Sequence, residues 1–64
     1  MSEFYTSDVR DLLRCQQSMA EQKPIAVIGA VGNKIETFTG VVQAIHEDHS
    51  TKSTRWLVAI LDLK

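Results

Sequence analysis

The chain has 64 residues, one proline and one cysteine, and its seven basic and eight acidic side chains leave a formal net charge of -1. A domain of this length hides only about 60% of its unfolded surface, so burial and chain entropy nearly cancel, and disulfides, a metal or a second copy commonly supply the difference. The lone Cys15 excludes an internal disulfide, and the near-neutral balance excludes the chain-wide positive field of a nonspecific nucleic-acid or anionic-membrane binder.

From Met1 to Thr6 the only sizeable apolar groups are Phe4 and Tyr5, and the segment is expected to dock on the domain or to fray. No basic stretch followed by an apolar core opens the chain, which excludes a secretory signal. With a single unpaired cysteine, a cytoplasmic protein is expected. A helix is predicted over about residues 7–22, with Thr6 or Ser7 as its N-cap and Asp8 and Asp11 favoured by the helix dipole in the first turns. Val9, Leu12, Leu13, Met19 and Ala20 make its apolar stripe, interrupted by Gln16, while Arg10, Arg14, Gln17 and Glu21 face away. Pro24 ends it, because proline disfavours the α region for Lys23 and brings no amide of its own.

Three strands follow. Residues 25–31, IAVIGAV, form an apolar run, and Gly32-Asn33 is a tight-turn pair, so a hairpin is predicted into a second strand over about 35–46. In that strand Phe38, Val42 and Ala44 share one parity and Ile35, Val41 and Ile45 the other, with Gly40 between the halves. A glycine in a long strand marks a bulge or sharp bend, and a bulge switches the parity that faces inward. Residues 47–53, EDHSTKS, are a polar loop. The last strand, about 54–62, lies in TRWLVAILDL, which is almost wholly apolar and too short to span a bilayer as a helix, so both of its faces are expected to be covered.

Gly29-Ala30-Val31-Gly32 superficially matches a phosphate-binding turn, but that motif needs a helix after the glycines, and the following IETFTG is strand-like. His46 and His49 are the nearest approach to a metal pair. Their i, i+3 spacing at a strand end differs from the i, i+4 spacing of a zinc helix, and a solvated loop is the plainer reading. Cys15 lies beside the helix stripe, where a packed, inert thiol is expected rather than a nucleophile. No acid–base pair accompanies Ser50, Thr51, Ser53 or Thr54. Lys34, Lys52, Arg55 and Trp56 are the candidate binding residues, since cations beside a stacking ring suit single-stranded nucleic acid; the competing reading is a core tryptophan beside solubilising charges.

The helix, Pro24 and the bent strand carrying Gly40, Val42 and Ile45 resemble the opening half of Sm-like small barrels over Pro24 to Ile60. The chain departs from that pattern at His46, where the family carries an acidic residue, and in its longer following loop. No functional residue is carried over.

The fold class expected is α+β: an N-terminal helix packed on a three-stranded antiparallel β-meander, bent and small-barrel-like, and completed by dimerisation. Ile25, Val27, Trp56, Val58 and Ile60 are the expected self-association residues, because one helix covers only one face of such a sheet. The first and third strands of the meander are edges, so joining edge to edge is a second route. The function expected is a small noncatalytic, self-associating interaction module that binds and regulates or inhibits another protein, with no cofactor and no metal. The alternative is a nucleic-acid-binding small β-barrel of SH3/Sm-like type.

Overall fold

The computed structural model describes residues 1–49 and 53–63. It is an α+β fold of one helix and four strands: β1 (Ser2–Thr6), α1 (Val9–Glu21), β2 (Ile25–Val31), β3 (Lys34–Asp48) and β4 (Arg55–Asp62). Four strands replace the expected three, because the segment expected to dock or fray is β1. It pairs antiparallel with β4 from Ser2–Ile60 to Thr6–Trp56 and meets β2 at Tyr5–Ala30, so the antiparallel order β1-β2-β3-β4 returns to its start.

β3 organises the sheet. Its first half, Lys34 to Gly40, pairs with β2 on one side, and its second half, Gly40 to Asp48, pairs with β4 on the other, so Gly40 is the residue common to both ladders. A Cβ on Gly40 would overlap the carbonyl oxygen of Leu61, so the close approach of the strands at this bend requires glycine. The bulge lies slightly further on, at Gln43. Val42 pairs with Ile60 and Ala44 with Ala59, leaving Gln43 as the extra residue. The parity switch follows: Phe38 and Val42 are buried before the bulge, and Ile45, opposite Val58, packs on the core after it.

The core consists of Phe4, Cys15, Val27, Phe38, Val42, Val58 and Ile60, with Met19, Ile25 and Ile45 packed against it. Phe4 is its centre. The ring stacks on Phe38 with centroids 4.7 Å apart, and a Cβ on Gly29 would collide with it, so the glycine of IAVIGAV is the floor on which the N-terminal aromatic rests.

The helix begins one or two residues later than expected. Asp8 is the N-cap, its carboxylate accepting from the Arg10 amide at 2.8 Å, while the buried Thr6 hydroxyl accepts from the Asp8 amide at 3.3 Å. Gln22 closes the helix in the left-handed region (φ 55), and the Lys23 amide reaches back to the Ser18 carbonyl at 3.3 Å. Of the expected stripe Leu12 is buried and Met19 packs against the core, but Val9, Leu13 and Ala20 face solvent, and Cys15 and Ser18 complete the buried face. Small residues in the middle of the helix let it approach β3. Ser18 is 1% exposed; its hydroxyl accepts the Val42 amide at 3.2 Å and donates to the Lys23 carbonyl at 2.6 Å. The amide beside the bulge, where the ladder is interrupted, is thereby satisfied from the helix. None of the described helices is long and apolar enough to cross a membrane.

Candidate functional site

The described candidate binding residues do not come together. Lys34 opens β3 beside the Gly32-Asn33 turn, whereas Arg55 and Trp56 pair with Asp48 and Glu47 at its far end, and Lys52 lies outside the described residues. Arg55 is already engaged. Its guanidinium carbon lies 3.9 Å from the centroid of the Tyr5 ring, and its Nε donates to Asp48 Oδ2 at 3.0 Å. Such a cation is held to the sheet by a charge-assisted hydrogen bond and a ring contact. Trp56 shares the inward parity of Val58 and Ile60 and is half-buried at the end of the interior.

The two histidines have different neighbours. His46 is exposed opposite Leu57, while His49 Nε2 lies 3.2 Å from Glu47 Oε1. Among the described residues no group of three or more His, Cys, Asp or Glu could hold a metal ion. Gly29 to Gly32 complete β2 and enter the turn to β3, so no helix amide end follows them. Cys15 is fully buried, and burial, helped by Asp11, pushes its thiol up to about 11, which leaves almost no thiolate at neutral pH. Two shallow clefts of about 200 and 280 Å³ flank Arg14, whose guanidinium donates to the Ala26 carbonyl at 2.7 Å. Neither brings a carboxylate and a base together over an enclosed apolar pocket.

The self-association set needs correction. Val27, Val58 and Ile60 are 2%, 0% and 0% exposed within the single chain, and Ile25 and Trp56 are half-buried beside them. These side chains point into the domain because β1 and α1 cover them, so they present no docking face. Ile28 at 60%, Ile35 at 77%, Leu61 at 50% and, just beyond β4, Leu63 at 53% have the opposite parity, while Val31 at the turn end of β2 is 40% exposed with the inward parity. Along the outer face Ile35 stands opposite Ala30, Ile28 opposite Thr37 and Ala26 opposite Thr39. Leu63 lies beside Thr39 through its amide, and Leu61 stands opposite Val41. The result is a band of aliphatic side chains and threonine methyls on the outside of β2, β3 and β4. Sequence reasoning missed it because IAVIGAV and LVAILDL are apolar at both parities, so alternation does not say which face is inside.

Comparison with known protein families gives no match, and no curated protein or solved structure matches the chain.

Proposed function

We propose that this chain is a noncatalytic, self-associating interaction module that binds and regulates another protein, built as a small barrel around its bent third strand. The observation that carries the reading is the outer band of Ile28, Ile35, Leu61 and Leu63, each at least half exposed on a chain whose own core is already filled. Scattered surface aliphatics need no explanation, but a contiguous band on a sheet marks a surface that another protein covers. The inertness of Cys15 and the engagement of Arg55 are consistent with a role in contact rather than in chemistry.

Sedimentation equilibrium from micromolar to millimolar concentration tests this. A mass above that of one chain, lowered by Leu61→Lys and by Ile35→Lys with the fold intact by circular dichroism, is the expected result. A single-chain mass over the whole range removes self-association. Steeply salt-dependent binding to mixed single-stranded oligonucleotides would instead favour a nucleic-acid-binding small barrel.

A further inference from the structure

Among the described residues several strand edges lack a strand partner: α1 reaches those of β2 and of the second half of β3, through Arg14 at the Ala26 carbonyl and Ser18 at the Val42 amide, whereas the outer edge of the first half of β3 has no described partner. Lys34 to Gly40 of β3 pair with β2 on one side; on the other side the β4 ladder reaches Gly40 through Asp62, and the Leu63 amide donates to the Thr39 carbonyl at 3.0 Å. Beyond Thr39 no described residue pairs with that side. Backbone groups alternate along a strand, so the Thr39 bond fixes the direction: Thr37 and Ile35 also turn their N–H and C=O groups to the free edge, while the residues between them face β2. Arg14 corroborates this, because it reaches the carbonyl of Ala26, the partner of Thr39, on the side of β2 away from β3.

Resting on the self-association proposed above, we infer that two copies of this chain join through the free edge of β3, antiparallel about a two-fold axis at Ile35, with Lys34 of each copy against Glu36 of the other. Charge selects both the occupant and the register. Centring the pair on Lys34 opposes two lysines, centring it on Glu36 opposes two carboxylates, and centring it on Thr37 sets Glu36 against the aromatic Phe38. Centring on Ile35 gives two Lys34–Glu36 pairs and one Ile35–Ile35 pair. In that register Ile35 exchanges both backbone bonds with its own copy, and the lysine–glutamate pairs occupy the closer, non-hydrogen-bonded positions of the ladder. The same strand is thus complementary to itself, which is what an isologous contact requires. It also makes the bands of Ile28 and Ile35 from the two copies continuous across the axis. Lys34, Glu36 and Thr37 are all exposed.

The test combines charge reversal with cross-linking. By sedimentation equilibrium Glu36→Lys weakens the dimer about tenfold, and the double variant Lys34→Glu/Glu36→Lys restores it, because the swapped charges again oppose one another. Under mild oxidation Ile35→Cys gives a disulfide-linked dimer, since paired Cα atoms in such a ladder lie about 5.5 Å apart, whereas Thr37→Cys, displaced from its own copy, does not. Buried Cys15 does not supply the bridge. A wild-type dimer that is indifferent to the single reversal, or that cross-links at Thr37→Cys and not at Ile35→Cys, overturns this edge while leaving self-association standing. A single-chain mass at millimolar concentration overturns both.

Discussion

The inner and outer faces of β3 carry similar side chains to opposite fates. On the inner face Val42 stands opposite Ile60 and both are wholly buried; on the outer face Ile35 stands opposite Ala30 and is 77% exposed. The faces do not differ in strand propensity. They differ in what lies over them, since β1 and α1 close the interior around Val42, Val58 and Ile60, while the outer side of the β2–β3 hairpin has no third layer. Burial here is a property of the third partner and not of the strand, and each variant below shifts that partnership.

Phe4→Ala should have the largest effect, because it empties the centre of the closed interior. Truncating a buried phenylalanine costs about 3–5 kcal/mol, comparable with the whole stability expected of a domain this size at roughly 0.05–0.15 kcal/mol per residue. Urea unfolding followed by circular dichroism should therefore show a chain largely unfolded in water. Gly29→Ala, which collides with the same ring, should destabilise the native chain by about 1–3 kcal/mol in the same measurement, and no loss would show that the ring does not rest there.

Gly40→Ala comes next. Its Cβ meets backbone rather than a yielding side chain, so overpacking of about 1–3 kcal/mol is expected, and both halves of β3 should loosen together in hydrogen exchange because they share this residue. Ser18→Ala leaves the Val42 amide buried without its acceptor, for about 1–3 kcal/mol by the same urea measurement. The loss should vanish if the bulge relaxes to let water in.

The alkaline limb tests Cys15. Its folded-state pKa is raised from 9.0 to about 11, so the stabilisation from keeping the thiol neutral is complete below about 9 and is lost as pH rises towards 11. The wild-type midpoint should fall faster than that of Cys15→Ala over that interval and in parallel with it below. Ile28→Thr should have the smallest effect, within about 0.5 kcal/mol on the stability of the single chain, because its side chain is 60% exposed. A loss above 2 kcal/mol would mean that the outer band already packs against something.

The parts legible in the sequence are those fixed by neighbours along the chain. Pro24 marks the end of the helix region, Gly32-Asn33 joins two strands in register from Val31–Lys34 onward, and the long strand is bent. The parts that were not legible depend on distant partners. SEFYT contains one inward apolar side chain, so nothing local distinguishes a fraying end from a strand whose ring reaches Gly29. The helix stripe went astray for a related reason: Cys15 and Ser18 lie inside because the helix sits close to β3 and Ser18 serves the bulge, which no hydrophobic periodicity reports. Nor does sequence spacing report that Arg55 is held by Tyr5 and Asp48.

The pairing of Ser2–Thr6 with Arg55–Asp62 has a consequence for biosynthesis. β1 leaves the ribosome before β4 and must wait for it, while the hairpin between them can form within microseconds of its emergence. Until that late partner is released β1 has no ladder to hold the Phe4 ring on Gly29 and Phe38, so a nascent chain leaves this aromatic loosely held and is then vulnerable to aggregation.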